Sequence, residues 1–208
     1  MADIVIVDYG AGNLRSVINT FRLLGHEVEV SCDSQRVMSA PVVILPGVGA
    51  AGAAMKELTK MNMPDALRYR VQQKLPLLGV CLGLQLLMST TEEGGTTSCL
   101  DIVSGVVRKL PASGKIPHMG WNQVRQCCEH RIFDGIADNA HYYFVHSYYV
   151  APDDDAVVMG RTDYGVDFCS VLIHGAVVAT QFHPEKSGDT GLKFYDNFIK
   201  LALGGCLC

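Results

Sequence analysis

The sequence predicts an α/β fold, a single domain with a mixed, mostly parallel sheet flanked by helices and with antiparallel strands added in the C-terminal half. Short, continuously apolar runs recur in the first part of the chain, and such runs are typical of parallel strands buried on both faces. Patterns with helical spacing of apolar residues lie between these runs. After about residue 100 the chain changes to short β-type runs separated by Gly, Pro and Asp.

The chain opens with a strand, a helix and a second strand. Residues 4–7 (IVIV) form a buried strand, and residues 8–13 form a glycine-rich turn. The next apolar positions share one face of a helix that ends at Gly25 and has Asn13 as its expected N-cap: Leu14, Val17, Ile18, Phe21 and Leu24. Residues 26–31 form the second strand. This order predicts parallel strands joined by a right-handed crossover.

The elements that follow extend the same sheet. Residues 41–45 form the third strand, residues 50–60 and 64–74 two helices, and the run from residue 75 the fourth strand. The later β-type runs lie at residues 102–110, 123–127, 141–150, 157–161, 168–174 and 176–182. Residues 190–203 have the pattern of a closing amphipathic helix. We expect residues 1–203 to form one domain and residues 204–208 a flexible tail.

Length, charge and composition narrow the function classes. The chain has 208 residues and a formal net charge of −4, so a basic surface for nucleic acid is not expected. Asp3 and the lack of a basic first segment argue against a secretory signal, and no apolar run reaches the roughly 18 residues of a membrane span. We therefore expect a cytoplasmic protein with reduced thiols.

Cofactor and metal motifs are not found. Arg15 stands where a dinucleotide-binding GxGxxG motif needs its third glycine, which excludes a Rossmann site at the first turn. The cysteines match neither a zinc site nor a CxxC pair, and the histidines lie on separate segments without ligand spacing. The sequence predicts no cofactor and no metal.

Residues 79–83 (GVCLG) join the fourth strand to a helical pattern and have Cys81 at their centre. A Gly-x-nucleophile-x-Gly turn is tight and lifts its central side chain out of the strand end. The helix N-terminus beyond it favours thiolate, the reactive form of cysteine. Cys81 is equally well explained as a small buried residue between closely packed glycines. The turn alone leaves these two interpretations about even.

Two nearby features favour chemistry at Cys81. Residues 46–49 (PGVG) follow the third strand and expose backbone N–H groups, which acyl transfer needs for an oxyanion, although a simple turn explains them when they are considered alone. Gln85 lies one helical turn after Cys81 in an otherwise apolar run. Its side chain is expected either to face solvent or to contact a substrate.

His183 and Glu185 follow the strand at residues 176–182. In extended backbone, residues two apart point to the same side, and Pro184 between them places the pair at a strand end. A histidine oriented by a carboxylate is the general-base half of a catalytic triad. The alternatives are a surface pair or half of a metal site. We expect His183, Cys81 and residues 46–49 to meet at one edge of the sheet, because each follows a strand.

Three motifs together resemble the class I (triad) glutamine amidotransferases: residues 46–49, 79–83 with Gln85, and 183–185. This resemblance implies a flavodoxin-like core. Three further segments narrow it to the glutaminase subunits of imidazole glycerol phosphate synthase, from histidine biosynthesis: residues 8–14 (DYGAGNL), 117–122 (PHMGWN) and 143–148 (YFVHSY). The resemblance spans residue 3 to about residue 200. Ser147 stands where threonine is equally familiar, and the Cys-rich tail has no counterpart in the family.

The resemblance also implies the roles of catalytic residues. Cys81 would attack the side-chain amide of glutamine, release ammonia and form a γ-glutamyl thioester that water hydrolyses. His183 would act first as base and then as acid, with Glu185 orienting its ring. The implied oxyanion donors are backbone N–H groups, that of Leu82 and one from Gly47, Val48 or Gly49, with Val48 favoured. The implied glutamine contacts are Gln85, Ser147 and Tyr148.

The partner implied by the resemblance is a (β/α)8-barrel cyclase subunit, which would form a heterodimer with this chain and receive its ammonia through a protected channel. The interface candidates are Asn13, Trp121, Tyr143 and Lys186. For Trp121, the only tryptophan, core packing is the alternative. Two other functions are alternatives: a glutaminase of another pathway, such as pyridoxal phosphate synthesis, and a catalytically silent scaffold subunit. Residues 117–122 argue against the first, and the intact triad residues argue against the second.

Overall fold

The structure, a computed structural model, describes residues 2–10, 14–112 and 114–205. Its strands are β1 (Ile4–Val7), β2 (Val28–Ser31), β3 (Val42–Leu45), β4 (Leu77–Val80), β5 (Thr90–Thr91), β6 (Thr97–Ser98), β7 (Gly105–Lys109), β8 (His118–Gln126), β9 (Ala140–His146), β10 (Tyr148–Pro152), β11 (Val158–Asp163), β12 (Asp167–His174) and β13 (Val177–Thr180). Its helices are α1 (Leu14–Leu23), α2 (Ser34–Ser39), α3 (Ala51–Lys60), α4 (Met63–Gln72), α5 (Leu82–Leu86) and α6 (Gly188–Leu203).

Within these residues the strands join in one mixed sheet, in the order β2-β1-β3-β4-β13-β12-β10-β7-β5-β6. The first five of these strands are mutually parallel. The pairs from β13 to β7 are antiparallel, and β8, β9 and β11 branch from β12. The predicted class, a parallel core with antiparallel strands added by the second half of the chain, is confirmed.

The two faces of the parallel strands bury separate apolar layers. In β1, Val5 and Val7 pack in the layer beneath α2, α3 and α4, whereas Ile4 and Ile6 pack in the layer that contains Phe21 of α1. Residues of α6 complete the second layer. Because strands in such a sheet are covered on both sides, their sequences are continuously apolar rather than alternating.

The structure corrects several predicted bounds. Helix α2 was not predicted, because its six residues are too few to show helical periodicity. The single strand predicted at residues 141–150 is two strands that separate at Ser147, because β9 pairs with β8 whereas β10 pairs with β7 and β12. Strand β8 begins at His118, so most of residues 117–122 is strand rather than the connection before one.

The sheet brings four loops to one edge. The segments after β1, β3, β4 and β13 all lie at the carboxyl ends of parallel strands, where α/β proteins bind ligands. Asn13 and the cysteines at 206 and 208 lie outside the described residues. In the described part of the chain, no helix is both long and apolar enough to cross a membrane.

Candidate active site

Cys81 occupies a strained turn between β4 and α5. Its φ of 54° and ψ of −104° are values that residues with side chains rarely adopt. A Cβ at Gly83 would overlap the carbonyl oxygen of Leu45, and one at Gly79 would lie 3.0 Å from backbone atoms of Gly83. Close backbone contacts therefore explain both glycines, and the turn has the form of a nucleophile elbow. Helix α5 has only five residues, so the dipole at Cys81 is that of little more than one turn.

Cys81 is 6% exposed and lines a cavity of about 270 Å³. Its Sγ lies 3.9 Å from the carbonyl oxygen of Val145 and 3.7 Å from Nε2 of Gln181. The cavity is lined by Val48, Gly49, Cys81, Leu82, Gln85, Glu93, Pro117, Val145, His146, Ser147 and Tyr148. The thiol is therefore buried, as expected of a packed cysteine, and also reachable from one small cavity, as a nucleophile requires.

His183 and Glu185 form a buried pair next to Cys81. Nδ1 of His183 lies 2.7 Å from Oε1 of Glu185, and both side chains are 3% exposed. The hydroxyl of Tyr195, on α6, donates to the other carboxylate oxygen at 3.2 Å. Nε2 of His183 is buried and makes no hydrogen bond of ordinary geometry among the described residues, but the ring lies close enough to Cys81 for the sulfur to raise its pKa. One ring nitrogen is thus fixed by a carboxylate while the other is left for chemistry.

Burial and neighbouring charges shift the pKa values of His183 and Tyr195. Burial by itself lowers the pKa of His183, but the Cys81 thiolate and the Glu185 carboxylate outweigh it and raise that pKa to about 10. Burial and the Glu185 carboxylate raise the pKa of Tyr195 far above its usual range, which keeps its hydroxyl a donor. The arrangement therefore favours the imidazolium form of His183, the state that can give a proton to a leaving group.

The local backbone at this pair differs from the prediction. Strand β13 ends at Thr180, and residues Pro184–Lys186 form a 3₁₀ turn with His183 at its N-cap. The two side chains meet because a tight turn folds the carboxylate back onto the ring, and not because they share one face of extended backbone. The pairing was predicted from the sequence, but the reason given for it was wrong.

The predicted oxyanion loop, residues 46–49, directs a carbonyl group toward the backbone beside Cys81. The carbonyl oxygen of Gly47 accepts from the N–H of Leu82 at 3.4 Å. The N–H of Leu82 is one of the predicted oxyanion donors. In this conformation it is already used in a hydrogen bond within the protein. Val48, which is 39% exposed, and Gly49, which has a φ of 98°, both line the cavity. The Gly47 carbonyl must turn away before the N–H of Leu82 can receive an oxyanion.

Tyr9, which the sequence did not single out, anchors this loop. Its hydroxyl donates to the carbonyl oxygen of Pro46 at 2.9 Å, and a Cβ at Gly47 would lie 2.5 Å from the same hydroxyl. Burial, with a smaller contribution from the Cys81 thiolate, raises the pKa of Tyr9 far above its usual range. The hydroxyl therefore stays protonated and remains a donor. In the sequence, the one sign that Tyr9 lies at the ligand-binding edge is that it closely follows strand β1.

The predicted glutamine contacts all lie at the cavity. Gln85 is 6% exposed, and its Nε2 donates to the Tyr148 carbonyl at 2.8 Å and to Oε1 of Gln181 at 3.2 Å, so it does not face solvent. Ser147 and Tyr148 line the same space. The structure adds Glu93, whose carboxylate lines the cavity and accepts from the N–H of Ala51 at 2.6 Å.

Two of these cavity residues had weak signals in the sequence. Gln181 is a fully buried polar residue directly after the apolar strand β13, and that contrast marks a functional position. Glu93 follows another glutamate in a loop, where an acidic residue normally indicates solvent exposure. Its position at the cavity depends on how the chain folds after α5, which periodicity does not reveal.

Three of the four predicted interface residues form one surface cluster, which we call the Trp121 patch: Trp121, Tyr143 and Lys186. The ring of Trp121 is 57% exposed and meets Tyr143 edge-on at 6.2 Å between centroids, and Nζ of Lys186 lies 5.8 Å from the centre of the Tyr143 ring. Trp121 is therefore not a core residue. The carbonyl oxygen of Tyr143 accepts from the N–H of His183 at 3.0 Å, so the patch directly adjoins the His183–Glu185 pair.

Known sequences agree with this geometry. The family model for class-I glutamine amidotransferases matches residues 5–201. A relative from Dehalococcoides mccartyi (strain CBDB1), named imidazole glycerol phosphate synthase subunit HisH, is 51% identical over 97% of this chain and 98% of its own. A subunit of the same name from Moorella thermoacetica is 48% identical over 97% and 96%. The chain belongs to the HisH family of class-I glutamine amidotransferases.

Solved structures support the fold of this HisH-family chain. A glutamine amidotransferase crystal structure matches with a TM-score of 0.75 at 22% identity, over 95% of this chain and 98% of that one. A glutamine amidotransferase from Thermotoga maritima matches with a TM-score of 0.66 at 16% identity, over 97% and 84%. The predicted family, fold class and enzyme class are confirmed, and the predicted function agrees with the names of the relatives. The roles of individual residues stay predictions.

Proposed function

We propose that this HisH-family chain hydrolyses L-glutamine to glutamate and ammonia and supplies the ammonia to the (β/α)8-barrel cyclase subunit of imidazole glycerol phosphate synthase, in cytoplasmic histidine biosynthesis. The observation that most supports this is the convergence of Cys81 with the His183–Glu185 pair. They follow two neighbouring parallel strands, β4 and β13, at the edge where the cavity opens. We further propose that residues 1–203 act as one amidotransferase domain and that residues 204–208 are a tail outside it.

The proposed reaction begins with attack of the Cys81 thiolate on the side-chain carbonyl carbon of glutamine. His183, held as an imidazolium by Glu185, gives the proton from Nε2 to the departing nitrogen, and ammonia leaves as the C–N bond breaks. The product is a γ-glutamyl thioester. His183 then takes a proton from water, which attacks the thioester carbon, and glutamate and the Cys81 thiolate are released.

The glutamine cavity offers separate contacts for the two ends of the amino acid. The Glu93 carboxylate suits the α-ammonium group, since it is the acidic side chain on the cavity wall among the described residues. Gln85 and the backbone of Ser147 and Tyr148 suit the α-carboxylate and the chain of the substrate. A volume of about 270 Å³ lies just below the usual range for drug-sized ligands and suits one amino acid.

The oxyanion loop gives this chain a resting state. The carbonyl oxygen of Gly47 occupies the N–H of Leu82, so the tetrahedral intermediate lacks this donor until the peptide beyond Pro46 turns. Binding of the cyclase at the Trp121 patch would place a partner next to His183 and near the cavity mouth. We infer that the partner favours the open loop, which would keep ammonia from being released when no acceptor enzyme is present.

The partner dependence is the direct test of this function. We expect glutamine hydrolysis by the isolated chain to be weak and to rise about 5- to 150-fold with the barrel cyclase and its ribonucleotide substrate, the usual range of coupling between sites. Glutamate release by the chain alone, with partner, and with partner plus ribonucleotide measures it. Full activity without any partner would contradict the resting state, and no activity in any mixture would contradict the glutaminase function.

Replacing Tyr9 with phenylalanine tests the anchor of the loop. The variant loses one hydrogen bond to Pro46, worth about 1 kcal/mol, while the ring and its packing remain. Because the loop then reorients at lower cost, we expect the activity without partner to rise about fivefold. Tyr142→Phe is the matched control, since the buried Tyr142 hydroxyl has no partner among the described residues and its loss should leave activity unchanged. Equal rates for Tyr9→Phe and the wild type would remove Tyr9 from this role.

A further inference from the structure

Two buried histidines lie beside the glutamine cavity and have no part in the chemistry above. His118 on β8 and His146 on β9 stand opposite each other in the strand register and are 3% and 5% exposed. Nδ1 of His118 lies 2.9 Å from Nε2 of His146. The rings of Tyr164 and Phe144 stack on His118, at 3.9 Å and 4.9 Å between centroids. Aromatic packing thus surrounds a pair of polar rings.

The apolar surroundings keep both rings uncharged. Burial lowers the pKa of His118 to about 4 and, against a hydrogen bond to the Tyr148 carbonyl that raises it, lowers the pKa of His146 to about 3. A neutral imidazole has one donor nitrogen and one acceptor nitrogen. The partners of each ring therefore decide which nitrogen carries the hydrogen.

The hydrogen bonds around the pair allow one direction only. Nδ1 of His146 lies 2.9 Å from the Tyr148 carbonyl oxygen, which can only accept, so Nδ1 carries the hydrogen and Nε2 accepts from Nδ1 of His118. Nε2 of His118 must then accept, and Nδ2 of Asn122 lies 3.3 Å away to donate. The same amide also donates to the carbonyl oxygen of Asp163 at 3.0 Å. Asn122, His118 and His146 thus each donate to the next residue, in a chain of hydrogen bonds that ends at the Tyr148 carbonyl oxygen.

The end of this chain is shared with the active site. The Tyr148 carbonyl oxygen also accepts from Nε2 of Gln85 at 2.8 Å. The Gln85 amide donates in turn to Gln181, whose own amide lies 3.7 Å from the Cys81 sulfur. The position of one carbonyl group therefore sets the position of the glutamine-contacting amide beside the nucleophile.

We propose that His118 and His146 are positioning residues for glutamine hydrolysis, which hold the Tyr148 carbonyl, and through it Gln85, by a chain of hydrogen bonds that runs in one direction. This role rests on the proposed function and adds residues to it. The chain begins on the strand whose opposite face exposes Met119 and Trp121, at 62% and 57%. Strand β8, which carries Trp121, is thereby linked to the cavity by hydrogen bonds.

The first test needs no substitution. Histidine labelled with ¹⁵N in the full-length wild-type chain reports the protonation of each ring nitrogen by NMR at neutral pH. We expect both His118 and His146 to be neutral with the hydrogen on Nδ1. A hydrogen on Nε2 in either ring, or a positive charge on either, would be incompatible with this chain of hydrogen bonds and would overturn the proposal.

The second test separates positioning from packing in the complex with the barrel cyclase. His146→Leu fills the space without a donor, whereas His146→Asn keeps an amide donor where Nδ1 lies. We expect His146→Leu to raise the KM for glutamine about tenfold with a smaller change in kcat, and His146→Asn to stay within about threefold of the wild type, the range of one hydrogen bond. His174→Leu, at an exposed histidine on β12, is the control and should match the wild type.

Three outcomes decide between the explanations. Equal KM values for a folded His146→Leu and the wild type would overturn the proposal, and so would an Asn variant as impaired as the Leu variant. Since the rings act in series, the double variant His118→Leu/His146→Leu should be no worse than the poorer single variant, and multiplied effects would exclude a single chain.

A wild-type complex that does not hydrolyse glutamine would instead contradict the proposed function, and the NMR measurement would still test the chain of hydrogen bonds. Failure of the Leu variants to fold leaves that measurement and the Asn variant as the deciding tests.

Discussion

Replacing Cys81 with alanine is expected to lower glutamine hydrolysis by at least about 10⁴-fold, because no other group at the cavity can form the thioester. The fold should be retained, since the alanine is smaller and the glycines of the turn keep their backbone contacts. Synthesis by the complex from added ammonia should be unaffected, because this route bypasses the nucleophile. Glutamate release and ammonia-dependent product formation are measured on the same preparation.

The matched control for this variant is Cys169→Ala. Cys169 is 2% exposed in β12, and burial raises the pKa of its thiol far above the usual range, so it stays a neutral thiol. Its loss removes a buried sulfur without touching the reaction, and activity per folded molecule should be unchanged. Glutamine hydrolysis that survives in Cys81→Ala would assign the nucleophile elsewhere. Loss of ammonia-dependent synthesis in the same variant would indicate that the substitution damages the complex and not only the chemistry.

Replacing Arg70 with methionine is expected to lower the free energy of unfolding by about 3–5 kcal/mol, the cost of removing one partner from a buried charged contact. The Arg70 side chain on α4 is fully buried. Its guanidinium donates to backbone carbonyl oxygens of Val37 at 2.9 Å, Ala40 at 2.6 Å and Pro76 at 2.7 Å. The substitution leaves these oxygens without their donor in the interior, so both the end of α2 and the start of β4 lose a connection.

Thermal unfolding of the Arg70 variant should show a midpoint lower by about 10 °C, since 1 kcal/mol corresponds to about 2–4 °C in a chain of this size. Arg22→Met, at an exposed position on α1, is the control and should shift the midpoint by less than about 2 °C. Arg70→Lys should fall between the two, because an ammonium keeps the charge but not the forked geometry. A loss of less than about 1 kcal/mol for Arg70→Met would mean that water or backbone movement satisfies these carbonyl groups.

Much of the candidate site was predictable because it follows strands. A continuously apolar run is recognised as a parallel strand, and the loop after it must lie at the ligand-binding edge. This placement is enough to bring Cys81, His183 and the loop at residues 46–49 together from the sequence alone. It applies equally to Tyr9, which follows β1, but a tyrosine in a glycine-rich turn has no chemical signal of its own.

Residues that act through side-chain contacts from distant elements were not predictable. Tyr195 has the spacing of a core position on α6, yet its hydroxyl reaches Glu185. Glu93 and Gln181 reach the cavity and the thiol, respectively, because of how the segment after α5 and β13 pack. Periodicity reports which face of an element is buried and not which atoms meet there.

The sequence by itself determined the parallel core, the elbow at Cys81, the paired His183 and Glu185, and the family resemblance, because each depends on local spacing or on the order of strands. Only the tertiary structure decided that the Gly47 carbonyl oxygen accepts from the N–H of Leu82, a predicted oxyanion donor, and that Trp121 is exposed. It also decided that His118 and His146 belong to a chain of hydrogen bonds that reaches the cavity. These features depend on the direction of single carbonyl groups and ring nitrogens. Such directions follow from packing between segments far apart in the chain, where the sequence pattern carries no information about orientation.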